Sequence, residues 1–184
     1  RIKHLGIARR LPNGLDLRVH PCLVTDDHLL SSVSGVMNAI VVNGDAVGET
    51  LLYGAGAGAR PTASAVIADL VDVVRTLTSD PGNRVPHLAF QPAALAAPGI
   101  VPLSEIVCAH YLRLMVHDRP GVLADITRIL GNHQVSIEAI RQQGSADVLG
   151  NVPVVIVTHR ALEANIAMAV SEIEALSTNA RAAT

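Results

Sequence analysis

Apolar and polar positions set out three kinds of segment along the chain. Residues 1–60 read as strand and turn: Leu5-Gly6-Ile7-Ala8-Arg9-Arg10 and Leu15-Asp16-Leu17-Arg18-Val19 flank Pro12-Asn13-Gly14. Asn-Gly between two strand-like runs predicts a hairpin, because both residues tolerate positive φ. A second hairpin is predicted from Asn38–Asn43 and Ala46–Tyr53, turning at Gly44-Asp45. Between the pairs, Thr25–His28 and Ser31–Gly35 read as loop or a short helical turn. From Pro61 the period lengthens: Ala65, Ile67-Ala68, Leu70-Val71 and Val74 fall on one helical stripe that ends near Thr76. Proline suits a first helical turn, where its missing N–H leaves no bond unmade.

Residues 79–103 hold Pro81, Gly82, Pro86, Pro92, Pro98, Gly99 and Pro102, so an extended connection is predicted there. A third block follows. Tyr111–His117 alternates as a half-buried strand, Asp118-Arg119-Pro120-Gly121 turns, and Val122, Leu123, Ile126, Ile129 and Leu130 form a helical stripe ending at Gly131-Asn132. Val135–Ile140 and Pro153–Thr158 read as strands, and Leu162–Leu176 as a helix with Ile166, Ala169-Val170 and Ile173 on one face. This β-α-β-β-α order is a ferredoxin-like unit without its final strand. No strand pattern is visible in Ser177–Thr184, so the tail is expected to be frayed or cut short.

Composition narrows the function classes. Only Phe90, Tyr53 and Tyr111 are aromatic, so any core is aliphatic. A net charge of −2 gives no electrostatic footprint for nucleic acid, and no apolar run is long enough for a transmembrane helix. Two cysteines, Cys22 and Cys108, make no disulfide framework and fit a reducing cytoplasm. The opening Arg-Ile-Lys-His lacks both Met and a signal core, and is read as the start of a piece of something longer.

Candidate chemistry is sparse. Tyr53-Gly-Ala-Gly-Ala-Gly58-Ala-Arg-Pro61 is glycine-rich and leads into a helix, which suits close approach to an anion. It is neither G-x-G-x-x-G nor a phosphate loop, and a tight strand-to-helix turn packed on another domain is the plainer reading. Eight histidines show no H-E-x-x-H spacing, and neither cysteine belongs to a C-x-x-C pair, so no metal site is expected. His20 and His28 flank loops where a general base would be possible, though a structural role is favoured. Asp26, Asp27, Asp45 and Glu49 are expected to be solvated or turn-fixing, and Cys22 to be a buried, inert thiol. At Asp118–Leu123, amides at a helix mouth offer a place for a small carboxylate. An ordinary strand–helix turn, with Asp118 capping the helix, fits the same residues.

Two stretches carry a family resemblance. Leu112–Thr127 and Val135–Ile140 resemble an ACT domain, a small module that binds amino acids. Leu17–Pro21, Gly35–Ala39, Gly44–Glu49, Tyr53–Gly58, Pro61–Val66 and Asp69–Asp72 resemble the C-terminal half of the catalytic region of homoserine dehydrogenase. The resemblance implies an α+β protein. A mixed-sheet catalytic and dimerisation subdomain over 1–78 precedes a Pro-rich connection at 79–110. An ACT domain at 111–178, βαββα with its last strand unclear, and a tail at 179–184 complete it.

For function, the resemblance implies NAD(P)-dependent interconversion of L-homoserine and aspartate 4-semialdehyde, on the route to threonine, isoleucine and methionine. The family's nucleotide-binding domain and catalytic lysine lie upstream, and Lys3, the one lysine here, does not match that position. No catalytic residue is therefore assigned, and the chain alone is expected to be inactive and to hold no cofactor tightly. Gly56, Ala57 and Gly58 would close over the cofactor of the parent enzyme. His28-Leu29 departs from a frequent His-Pro of the family. Val36, Ile40, Val42 and Val47 would pack across a two-fold axis in a homodimer or higher oligomer. The effector, L-threonine, would lie against the amides of Gly121, Val122 and Leu123, with Asp118 near its amino group and Ile137 contributed across an interface. A free-standing amino-acid-binding module and a pure oligomerisation domain are the alternatives. Exposure of the Val66, Leu70 and Val74 stripe would favour the first reading, and its burial the free-standing module.

Overall fold

A computed structural model describes residues 1–77, 89–142, 144, 147–148, 150–176 and 179–181. Two compact units emerge, and they interleave along the chain: Arg1–Gly6 with Val19–Pro98, and Ile7–Arg18 with Gly99–Thr184.

The first unit contains one end of a hairpin formed by β1 (Ile2–Leu11) and β2 (Gly14–Leu23), and a 3-10 turn at Leu29–Ser32. Lys3 Nζ donates to Val33 O, and Ser31 Oγ donates to Asp26 O at 2.9 Å, which ties the turn to the strands. A second hairpin pairs β3 (Met37–Gly44) with β4 (Gly48–Ala55) in register from Met37↔Ala55 to Gly44↔Gly48. Helix α1 (Ala59–Leu77) follows. The expected stripe is there, yet α1 buries none of its residues: Val66, Leu70 and Val74 are 53%, 57% and 60% exposed. Ile40, Val42, Val47 and Leu52 are exposed as well. A lone two-stranded ribbon is marginal in water, and this unit presents apolar surface that its described residues do not cover.

The second unit holds the core. Its four-stranded antiparallel sheet runs β10-β6-β8-β7, from β6 (Tyr111–His117), β7 (Ile137–Gln142), β8 (Asn151–Thr158) and β10 (Asn179–Arg181). Helices α2 (Val122–Asn132) and α3 (Glu163–Glu174) complete a ferredoxin-like β-α-β-β-α-β unit. Alternation on the strands sends Leu112, Leu114 and Val116 of β6 and Val152, Val154 and Ile156 of β8 inward. They meet Val122, Ile126, Ile129 and Leu130 of α2, at the i, i+4, i+7, i+8 spacing of one helical face. Ile166, Ala169 and Ile173 of α3 close the layer.

β10 corrects the expectation of a frayed tail. Asn179 pairs with Val116 and Arg181 with Met115, so the last strand exists without an apolar alternation to announce it. Edge strands are held by main-chain bonds to their neighbour, which any side-chain sequence can make.

The tip of the first hairpin belongs to this unit. The Leu15 amide donates to Gly99 O and the Val101 amide to Leu15 O, both at 2.9 Å. Residues 99–108 are well anchored here, with Val101 and Ile106 buried. A short β5 (Val107–Cys108) pairs with β9 (Ala161–Leu162), just ahead of α3. No helix among the described residues is long and apolar enough to cross a membrane.

Candidate functional site

The turn between β6 and α2 forms a concave site. Val116, His117, Asp118, Arg119, Pro120, Gly121, Val122 and Leu123 line a cavity of about 170 Å³ with Gln142 and Val152. Four of the five expected effector residues are thus together: Asp118, Gly121, Val122 and Leu123. Ile137 is elsewhere, at the start of β7, opposite Thr158 and packed half-buried on the core.

Backbone geometry explains the shape. Gly121 sits at φ 94°, the left-handed region that side chains avoid, and it is the residue that turns the chain into α2. No side chain caps that helix, so the plain alternative of Asp118 as a cap is corrected. Instead, the Asp118 amide donates to Gly150 O at 2.9 Å, and its Oδ1 accepts a long 3.5 Å bond from Gln142 Nε2. The first intrahelical amide is that of Asp125, donating to Gly121 O at 3.0 Å; Val122 makes only a long 3.4 Å bond to Arg119 O. First-turn amides without an intrahelical acceptor carry partial positive charge. An exposed carboxylate on Asp118 lies beside them, so the cavity offers both signs within one turn of chain.

The glycine-rich loop is exposed throughout, including Gly56, Ala57 and Gly58. The Gly56 amide donates to Val36 O at 2.8 Å, and a Cβ on Gly56 would fall on the Asn38 side chain. The loop is pinned at Gly56 by close approach to β3 and then opens into α1.

The two loop-flanking histidines make local contacts. His28 Nδ1 accepts from the Leu30 amide at 3.1 Å and so caps the 3-10 turn, while His20 Nδ1 lies 3.0 Å from Pro21 O. Cys22 is a correction: its thiol is part-exposed and 3.6 Å from His20 Nδ1, since β2 turns that residue toward the surface. Asp27, fully exposed, is held below the usual carboxylate range, chiefly by a hydrogen bond from Thr25.

Sequence reasoning passed over one polar chain. Asp16 is fully buried and ion-paired with Arg9 Nη2 at 3.0 Å, which donates to its Oδ2, and with Arg18 Nε at 2.7 Å. Arg18 Nη1 reaches Cys108 Sγ at 3.4 Å, Cys108 lies 3.6 Å from His110 Nε2, and His110 Nε2 is 2.6 Å from Glu163 Oε2. Burial opposes the charge on Arg18, but its bonds to Cys108 and Asp16 and the field of both raise its pKa on balance. Within this chain Asp16-x-Arg18 and Cys108-x-His110 are local signals; Glu163 is brought in from far along the sequence.

Comparison with known proteins divides the chain in two. A family model described as homoserine dehydrogenase matches residues 1–71, and one described as ACT domain matches residues 110–176. A homoserine dehydrogenase of Pseudomonas aeruginosa is 56% identical over 176 residues, covering 96% of this chain and 41% of that protein. One from Neisseria gonorrhoeae is 51% identical, with 96% and 40% covered. A crystal structure of a homoserine dehydrogenase from Thiobacillus denitrificans superposes on all of this chain and 41% of that one, with a TM-score of 0.88 and 54% identity. The chain therefore spans about two fifths of the length of these relatives.

Proposed function

Residues 1–71 belong to the homoserine dehydrogenase family and residues 110–176 are an ACT domain, and from that membership we propose that the chain is the dimerising, amino-acid-sensing part of an NAD(P)-dependent homoserine dehydrogenase. The parent reaction is hydride transfer between L-homoserine and L-aspartate 4-semialdehyde. The nucleotide domain and catalytic lysine are supplied by other residues than these, so the 184 residues alone do not turn over. Gly56, Ala57 and Gly58 form the edge that meets the cofactor. The small, exposed loop ahead of α1 supports that role, because backbone without side chains approaches a dinucleotide closely.

The observation that carries the regulatory half is the cavity beside Gly121. A free amino acid presents a carboxylate and an ammonium on one carbon. First-turn amides of α2 suit the carboxylate, and Asp118 suits the ammonium through a charge-assisted bond. The cavity, about 170 Å³, lies between the β6–α2 turn, Gln142 and Val152. In this reading one chain contributes one wall, and a second copy closes it. β7 ends the sheet and leaves an edge on which a second sheet would continue, which would bring Ile137 of another copy toward the ligand. Threonine, the end product, would then act by binding the inhibited arrangement more tightly than the active one.

The uncovered stripe on Val66, Leu70 and Val74 favours this reading over a free-standing module, because a self-sufficient module would bury it. The test is calorimetric titration of L-threonine into the 184-residue chain, with L-serine and L-isoleucine as controls. Saturable heat with threonine alone, absent in Asp118→Asn, is expected, together with a dimer in sedimentation. Silence with all three amino acids would overturn the sensor and leave the domain an assembly element.

A further inference from the structure

We propose that Cys108, His110 and Glu163 form a binding site for a divalent transition-metal ion of the Zn²⁺ class, within the ACT unit and apart from the effector cavity. Their ligand atoms, Sγ, an imidazole nitrogen and a carboxylate oxygen, all lie within 4.8 Å of one another. The fold makes this arrangement for local reasons. Cys108 and His110 are two residues apart on extended chain, so both project to one side. Pairing of Cys108 with Ala161 in the β5–β9 ladder brings the start of α3 alongside, where the Glu163 amide donates to Ile106 O at 2.9 Å. Fully buried Thr158 fixes His110 from behind: its Oγ1 accepts from the His110 amide at 3.0 Å and its own amide donates to His110 O at 2.9 Å.

Distances agree with a shared tetrahedral ion. With Zn–S near 2.3 Å and Zn–N near 2.05 Å, a tetrahedral edge between sulfur and nitrogen is about 3.6 Å, and Cys108 Sγ lies 3.6 Å from His110 Nε2. The His110–Glu163 contact of 2.6 Å is a direct hydrogen bond and has to open by about 0.7 Å to admit the ion. Charge agrees too. A metal-bound thiolate and carboxylate together balance a divalent cation, while Arg18 is ion-paired with Asp16, which it shares with Arg9. Arg18 Nη1 donates to the sulfur at 3.4 Å, an outer contact of the kind that orients a metal-ligating side chain. The sulfur and imidazole donors select Zn²⁺, Co²⁺ and similar ions over Mg²⁺ or Ca²⁺, which prefer oxygen. Side chains of His110 and Glu163 are 16% and 25% exposed, which leaves a path in and a fourth position for water. Bound there, the ion staples residues 107–110 to the head of α3.

The experiment is titration of Co²⁺ into the chelator-stripped, reduced chain, followed by absorption. One equivalent is expected to produce tetrahedral d–d bands and a sulfur-to-cobalt charge-transfer band, both bleached by Zn²⁺. Cys108→Ser and His110→Gln should abolish the bands, and Glu163→Gln should weaken binding by at least about tenfold, the scale that even an outer-shell change produces. Cys22→Ser must leave them intact, because the Cys22 thiol also lies beside a histidine, His20. Circular dichroism identifies any variant that has lost its fold, and the near-isosteric Cys108→Ser carries the argument if His110→Gln is among them. An octahedral spectrum, no saturation, or a signal lost in Cys22→Ser would overturn the proposal.

Discussion

Asp16 allows the sharpest energetic test. It is fully buried, and its two cationic partners differ in setting: Arg18 is 11% exposed and Arg9 is 41% exposed. Replacing Asp16 by Asn keeps the volume but removes the charge, so Arg18 is left as a nearly buried cation without its carboxylate partner. Breaking a buried pair from one side costs about 3–5 kcal/mol. The half-exposed Arg9 bond, screened by solvent, adds less than about 1 kcal/mol. Asn still offers one carbonyl oxygen, so the lower end applies, and we expect a loss of about 3 kcal/mol. Against a stability of roughly 5–15 kcal/mol this is a large fraction. The assay is urea unfolding in chelator-containing buffer, so that no metal at Cys108 obscures the result. Asp16→Asn/Arg18→Met should recover at least half of the loss, because it removes the orphaned cation along with its partner. A single-variant loss below about 1 kcal/mol, the size of an ordinary substitution, would refute the reasoning. Failure of the double variant to recover would do the same.

Further expectations follow from the effector turn and the acidic loop. Gly121→Ala meets no neighbouring atom within 4 Å, so its cost is conformational: φ 94° should lower stability by about 1–3 kcal/mol, and effector binding should weaken with it. Wild-type stability and affinity in that variant would show that the turn relaxes freely. For Asp27 the folded pKa is lowered, so its small contribution is complete above the unfolded value and is lost as pH falls through the folded one. An NMR titration should place its folded midpoint below that of the urea-unfolded chain, and coincidence of the two would contradict the Thr25 bond.

Much of the architecture was legible because periodicity reports burial. The stripes of α2 and α3 and the alternation of β6 became the core they predicted, since each faces a layer within its own unit. β10 was not legible, because Asn179-Ala180-Arg181 carries no apolar alternation and its pairing with β6 is a matter of main-chain register. Asp16 was hidden by the reverse effect. Alternation in Leu15-Asp16-Leu17-Arg18 points the acid outward, yet Asp16 is fully buried and Leu17 is 46% exposed, because two arginines from the same hairpin ion-pair with the acid. At the effector turn, Asp118–Leu123 is a contiguous motif and could be read directly. Glu163 could not be joined to Cys108 and His110 before the β5–β9 ladder was known.

The aliphatic core has an optical consequence. With no tryptophan, near-ultraviolet absorption and emission come from Tyr53 and Tyr111. Tyr53, on β4, lies in one compact unit, and Tyr111, on β6, lies in the other. Each unit therefore carries a single tyrosine, and Tyr53→Phe leaves a protein whose tyrosine fluorescence speaks for the sheet and its two helices alone. Whether the two halves melt together or in succession can be read from light the chain already emits, without a dye or an added label.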